Sequence, residues 1–138
     1  MGTKSQSIVA VDDDVRTLDR ISMILDSTHV VLATSDPGRA LNWLRSDTTV
    51  SAVVVGQNIR GGKGIDFLMA AQKLRPDARR ILIACYSELA NIVDGLHSGA
   101  IERTISKPID AAELLGLIRV RIVKPSDPAS IATAGNAR

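Results

Sequence analysis

Five short apolar runs, rich in β-branched residues, recur along the chain and are separated by longer segments. They lie at residues 7–11, 29–33, 50–55, 80–84 and 103–106. Stretches inside them, such as Val-Val-Val at 53–55 and Ile-Leu-Ile at 81–83, do not alternate with polar residues. A strand that is apolar on both faces needs cover on both sides, which is typical of a parallel sheet between two layers of helices. We therefore predict five strands in one buried parallel sheet.

The segments between and after these runs carry apolar residues at helical spacing. The five stripes are Leu18, Ile21 and Leu25; Ala40, Leu41 and Leu44; Leu68, Ala71 and Leu74; Leu89, Ile92, Val93 and Leu96; and Leu114, Leu115, Ile118 and Ile122. Asp36 before Pro37, and Asp110 three residues before Glu113, are typical helix starts. Alternating strands and helices with right-handed crossovers predict a doubly wound, three-layer α/β sandwich with a five-stranded parallel sheet and five helices.

The length of 138 residues and the hydrophobic content of 45% suit one domain with a substantial core, which we place at residues 1–123. Residues 124–138 lack periodicity, and we expect a mobile C-terminal tail. A lone cysteine, Cys85, and the lack of an apolar leader indicate a cytoplasmic protein. No apolar run is long enough for a membrane span, and a net charge of +2 does not imply nucleic acid. The arginine-rich segment at 75–80 is interpreted as a solvated helix end and loop.

Charged residues follow the first and last predicted strands. Asp12 and Asp13 come directly after the first strand, and Lys107 follows the fifth. In a doubly wound fold the carboxyl ends of the strands form the edge where ligands bind. Acidic residues also start helices, and for Asp14 alone we prefer that interpretation. The joint placement of Asp12, Asp13 and Lys107 favours a functional site or its remnant.

The chain resembles the receiver domains of two-component response regulators over about residues 7–123. Three segments carry the resemblance: Ile-Val-Ala-Val-Asp-Asp-Asp at 8–14, Gly-Gly-Lys-Gly-Ile-Asp-Phe-Leu at 61–68, and Ser-Lys-Pro at 106–108. The resemblance implies that Asp12 and Asp13 correspond to an acidic pair that holds Mg²⁺. It also implies that Lys107 corresponds to a lysine that neutralises a phosphoryl group carried by an aspartate at the end of the third strand.

Three positions depart from the family pattern. The acceptor position falls on Gly56, which has no nucleophile. The hydroxyl position after the fourth strand falls on Ala84, or on Cys85 in a gapless alignment, and the aromatic switch position falls on Thr104. We expect a degenerate phosphorylation site, weak Mg²⁺ binding at Asp12 and Asp13, no catalytic residue, and a direct contact between Lys107 and the acidic pair in a remnant acidic pocket.

The leading hypothesis is a pseudo-receiver that is not an enzyme and signals by protein–protein contact. Its partner would be a histidine kinase, another regulator or an output protein, with no nucleic acid or membrane involved. Leu117, Val120 and Val123 of the fifth predicted helix would form an interface with a second copy of the chain, in a homodimer, or with a related receiver, unless the tail covers them within one chain. The alternatives are a phosphoaccepting receiver with a displaced acceptor, a small-ligand sensor and a DNA-binding regulator, which would need an output domain as well.

Overall fold

The computed structural model describes residues 6–84, 96 and 98–119. The strands are β1 (Ser7–Val11), β2 (Val30–Thr34), β3 (Val50–Gly56), β4 (Asn58–Ile59), β5 (Gly62–Lys63), β6 (Arg79–Ile83) and β7 (Arg103–Ile105). The helices are α1 (Val15–Leu25), α2 (Pro37–Ser46), α3 (Gly64–Leu74) and α4 (Ala111–Arg119). Among the described residues, none of these helices has the length and apolar character needed to cross a membrane.

Five of the strands form one parallel sheet in the order β2-β1-β3-β6-β7. All five residues of β1 are buried, as are six of the seven in β3, because helices cover both faces of the sheet. One face packs against α2 and α3 through residues such as Leu44 and Leu68. The other packs against α1 and α4 through residues such as Ile21 and Leu114. This is the predicted three-layer α/β sandwich.

The sequence placed each strand of this sheet to within about two residues, with β1 matching at both ends. Asp14 and Asp36 accept hydrogen bonds from the backbone N–H groups of Arg16 and Gly38, and so cap α1 and α2 as expected. Asp110 likewise accepts from the backbone N–H of Glu113 at the start of α4. The fourth predicted helix, apart from Leu96, and the predicted tail at 124–138 lie outside the described residues.

A two-stranded antiparallel hairpin, β4 with β5, follows the end of β3. No strand was predicted here, although the glycines at 61, 62 and 64 are typical of a turn. Gly61 has a positive φ of 78°, as the hairpin turn requires, and Ile59 is buried. Gly64 begins α3 under a different constraint: a β-carbon there would overlap the carbonyl oxygen of Gly56. Only glycine allows this close approach of the two backbones.

Arg80 corrects the prediction that segment 75–80 is a solvated face, because its side chain is only 4% exposed. Its guanidinium donates to four backbone carbonyls at 3.0 to 3.2 Å, those of Pro76, Ala78, Gly99 and Ala100. Glu102 Oε1 lies 3.8 Å from Arg80 Nη2 and accepts a hydrogen bond from the backbone N–H of Arg80. Arg80 therefore joins the loop before β6 to the loop before β7, at the end of the sheet opposite the predicted site.

Candidate functional site

The strand register brings the predicted site residues to one edge of the sheet. Val11 pairs with Val55, so Asp12 lies beside Gly56 at the carboxyl ends of β1 and β3. Ile83 pairs with Gly56 and with Ile105, which places the end of β6 between β3 and β7. Ala84 follows directly and donates its backbone N–H to the carbonyl of Ile105. The edge therefore gathers residues that are far apart in the sequence.

Asp12 lies at the centre of this edge and is 2% exposed. Its Oδ1 accepts a hydrogen bond from the backbone N–H of Asp14 at 2.8 Å and lies 3.3 Å from Lys107 Nζ. The Lys107 side chain is 37% exposed. A buried carboxylate is costly without a compensating charge, and the ammonium supplies that charge. The predicted contact between Lys107 and the acidic pair is therefore present, with Asp12 as the partner.

The second oxygen of Asp12 fills the space that a side chain at Gly56 would need. A β-carbon built on Gly56 would overlap Asp12 Oδ2 and lie 2.9 Å from Asp12 Cγ. Asp12 Oδ2 is buried and has no hydrogen-bond partner within the described part of the chain. The end of β3 thus offers no nucleophile, and the neighbouring carboxylate lies against its backbone.

An open cavity of about 240 Å³ lies above this edge. It is lined by Asp12, Asp13, Asp14, Gln57, Asn58, Ile83, Ala84 and Lys107. Gln57 Oε1 is buried and has no hydrogen-bond partner among the described residues. The cavity is large enough for a small polar molecule, and the described residues that line it contribute three carboxylates and one ammonium.

The donor set does not fit the magnesium ion that the resemblance implies. Mg²⁺ requires nearly octahedral oxygen coordination. Here Asp12 Oδ1 is engaged by Lys107 and by the backbone of Asp14, Asp12 Oδ2 is turned toward Gly56, and Gly56 contributes no side-chain oxygen. Across residues 6–84, 96 and 98–119, no group of three or more His, Cys, Asp or Glu side chains is arranged to hold a metal ion.

Asp14 belongs to the helix start and not to the acidic centre. Its Oδ1 accepts from the backbone N–H of Arg16 at 3.0 Å and lies 3.6 Å from Arg16 Nε. The backbone hydrogen bond holds the pKa of Asp14 below its ordinary value, and the charges of Arg16 and Lys107 act in the same direction. This supports the capping role that the sequence favoured for Asp14.

The remaining predicted site residues are distributed as follows. Thr104, at the switch position, is half-buried within β7. Leu117 was expected on an exposed face of the last helix, but it is half-buried and packs against the core cluster beneath α4. Leu117 lies three residues after the fully buried Leu114 and directly before the buried Ile118, which places it on the flank of the buried stripe. Val120, Val123 and Cys85 lie outside the described residues.

Sequence reasoning missed two features of the site. The burial of the Gln57 amide oxygen and the close approach of Gly64 to Gly56 were not predicted. Gly64 lies seven residues after Gln57, and nothing in the local sequence signals a backbone contact with Gly56. Both features depend on how the segment at 57–63 folds back over the end of β3.

Comparison with known proteins gives the chain a family. The model of the response regulator receiver domain matches residues 8–119. The hydrogenase transcriptional regulatory protein HoxA of Bradyrhizobium diazoefficiens is 28% identical over 138 residues, which cover 94% of this chain and 28% of HoxA. The photosynthetic apparatus regulatory protein RegA of Cereibacter sphaeroides is 30% identical over 112 residues, which cover 79% of this chain and 59% of RegA. The chain thus spans less than two thirds of the length of these relatives.

A solved structure leads to the same family. The signal receiver domain of an HD domain-containing protein from Pseudomonas fluorescens superposes with a TM-score of 0.76 at 28% identity. The superposition covers 86% of this chain and 88% of that domain. The chain belongs to the response regulator receiver domain family, the regulatory domains of two-component signalling.

Proposed function

We propose that this receiver domain does not accept a phosphoryl group and that it acts by binding another protein. The observation that carries the proposal is the end of β3, where Gly56 stands at the acceptor position and the Asp12 carboxylate occupies the space of the missing side chain. An acyl phosphate needs a carboxylate held in line with the donor phosphorus. Asp12 Oδ2 is buried against Gly56, and Asp12 Oδ1 is engaged by Lys107.

Two further positions support this proposal. Ala84, at the hydroxyl position after β6, has a side chain that cannot donate a hydrogen bond to a phosphoryl oxygen, and it is 3% exposed. Thr104, at the switch position, lacks the ring that family members rotate. The charged pair of Asp12 and Lys107 remains, which is consistent with a structural role for the former centre.

The proposed activity is recognition of a protein partner, as in a receiver that contacts a kinase, another regulator or an output protein. The relatives HoxA and RegA are named as regulatory proteins, and this chain spans only part of their length. Binding of that partner to the surface of the domain would then transmit the signal. Self-association in a homodimer is one form of this contact, and light scattering over a concentration series measures it.

The test is phosphorylation with a small donor, followed by intact mass measurement. The wild-type chain is incubated with acetyl phosphate and Mg²⁺, beside a receiver domain that retains its aspartate as a positive control. We expect one phosphoryl group on the control and none on the wild type. A stoichiometric phosphoryl adduct on the wild type would instead show a displaced acceptor, and tandem mass spectrometry would locate it.

A second candidate function is sensing of a small polar ligand. The 240 Å³ cavity favours it, and so does Gln57 Oε1, which has no hydrogen-bond partner in the part of the chain that the structure describes, because a ligand with a hydrogen-bond donor would satisfy that oxygen. A thermal-shift screen of small amines and zwitterions separates this function from protein recognition. A hit whose effect is lost in Gln57→Leu but kept in Gln72→Leu, a half-buried glutamine on α3, would support the sensor.

A further inference from the structure

We propose that Lys107 is the built-in cation of this site. Its ammonium replaces the divalent ion at the carboxylates, so that the domain binds no Mg²⁺ specifically and keeps the conformation of its site without one. This inference deepens the proposed function and rests on it, because a receiver that takes no phosphoryl group has no use for a metal. The claim concerns only groups at the carboxyl ends of β1, β3 and β7.

The contacts of Asp12 are the first step. Oδ1 lies 3.3 Å from the Lys107 ammonium and accepts a hydrogen bond from a backbone N–H at 2.8 Å, whereas Oδ2 lies against Gly56 and has no hydrogen-bond partner among the described residues. A metal at Asp12 would have to displace the ammonium or rotate the carboxylate. Rotation about the side-chain bonds would expose the backbone of Gly56 and break the bond to the N–H of Asp14.

The neighbouring carboxylates do not make up for this loss. Asp14 is engaged as the cap of α1 and is paired with Arg16, and its withdrawal would release the first turn of that helix. Asp13 is exposed. A strongly hydrated ion that dehydrates reluctantly gains little from one exposed carboxylate. Gly56, which the family fills with a third carboxylate, adds no oxygen.

Charge balance explains why a lysine suffices. Asp12 is the one carboxylate of the three that is buried, and one ammonium neutralises it. Lys107 reaches Asp12 from the loop after β7 while its own side chain stays 37% exposed, so the ammonium keeps part of its hydration. The pair therefore meets the electrostatic need of the buried carboxylate without any ion from solution.

The test compares the response to Mg²⁺ of the wild type, Lys107→Gln and the charge-conserving control Lys107→Arg. Melting temperatures are measured in MgCl₂ against NaCl of equal ionic strength. We expect no difference between the salts for the wild type and for Lys107→Arg. For Lys107→Gln we expect a saturable rise of roughly 4 to 6 °C when Mg²⁺ is at about ten times its dissociation constant.

A specific rise in the wild type, or no rise in a folded Lys107→Gln variant, would overturn the inference. If Lys107→Gln does not fold, Gly56→Asp is compared with its uncharged isostere Gly56→Asn. Both substitutions displace the Asp12 carboxylate, but only the aspartate adds a charged carboxylate, whereas asparagine adds a neutral amide oxygen, so we expect Mg²⁺ to stabilise Gly56→Asp far more than Gly56→Asn. Equal responses of these two variants would contradict the inference.

Mg²⁺ binding to a wild type that shows no phosphoryl adduct would overturn this inference and leave the proposed function standing, whereas an adduct would overturn the proposed function itself.

Discussion

Replacement of Arg80 by methionine tests whether the buried guanidinium holds the amino end of the sheet together. Methionine keeps much of the side-chain volume and removes all the hydrogen-bond donors. The bonds to the carbonyls of Ala78 and Ala100 are fully buried, and those to Pro76 and Gly99 are partly buried. A buried carbonyl left without a donor costs the desolvation of that group, whereas water can reach a partly buried one.

The expected loss of stability follows from the division of the four hydrogen bonds into two buried and two partly buried ones. We assign about 1 to 1.5 kcal/mol to each of the two buried bonds and about half of that to each of the other two. The free energy of unfolding should therefore fall by about 3 to 4.5 kcal/mol, which is a large share of the stability of a domain of this size. At about 4 °C per kcal/mol, the melting temperature should fall by roughly 12 to 18 °C.

Urea titration followed by circular dichroism measures the loss directly. Arg80→Lys serves as an intermediate variant, because an ammonium keeps the charge near Glu102 but cannot reach four carbonyls from one position. We expect it to lose about half as much stability as Arg80→Met. If Arg80→Met melts within about 2 °C of the wild type, the assignment of stability to these four bonds is refuted.

Three further changes probe other parts of the account. Lys107→Ala should lower the free energy of unfolding by about 1 to 2 kcal/mol in urea titration, because it leaves a buried carboxylate unpaired while the lysine itself is partly exposed. Gly64→Ala should lower the free energy of unfolding by about 3 kcal/mol, because its β-carbon would strike the carbonyl oxygen of Gly56. Gly62→Ala is the control and should change the stability little, because open space surrounds Gly62. Equal losses of stability in the two variants would refute the contact. The hydroxyl of Thr49 holds the pKa of Asp47 below its ordinary value of 3.8, so this carboxylate stabilises the fold above that pH and its contribution is lost as the pH falls through the lowered value. Melting curves from about pH 5 down to about pH 2 should therefore show a smaller acid loss in Asp47→Asn than in the wild type, and parallel curves would argue against it.

The fold was predictable because its signals are local and repeated. Unbroken β-branched runs gave the strands of the sheet, and helical spacing gave the helices between them. The approach of Lys107 to Asp12 was predictable for a more general reason. Strands of one parallel sheet end at the same edge, so residues directly after β1 and β7 meet there, although they are 95 positions apart in the sequence.

Other features depend on long-range geometry that no local pattern encodes. The burial of Arg80 requires four carbonyls from two loops to converge on one guanidinium, and an arginine beside Arg75 and Arg79 looks like part of a solvated segment. The Asp12 carboxylate lies against Gly56, because the neighbouring strand β3 has no side chain at that position. The side-chain conformation of Asp12 depends on Gly56, which is adjacent in space but distant in the sequence, so the residues around position 12 give no sign of it. The hairpin of β4 and β5 is too short to show a period of two.

Helical spacing alone did not predict which side chains of the last helix are buried. Counting residues placed Leu117 away from the sheet, yet it reaches the core cluster beneath α4. A helical wheel assigns directions but not the depth at which a helix sits on a sheet.

The most direct measurement of the central claim is a pair of ¹H–¹⁵N correlation spectra of the wild-type domain, recorded without and with acetyl phosphate and Mg²⁺. Such spectra report a conformational response even when an acyl phosphate is too short-lived for mass measurement. The backbone resonances of Gly56, Ala84, Thr104 and Lys107 are the ones that a phosphoryl group at this edge would move. We predict that they keep their positions when the donor is added. A second set of resonances that grows with donor concentration would contradict the claim that this receiver signals without phosphorylation.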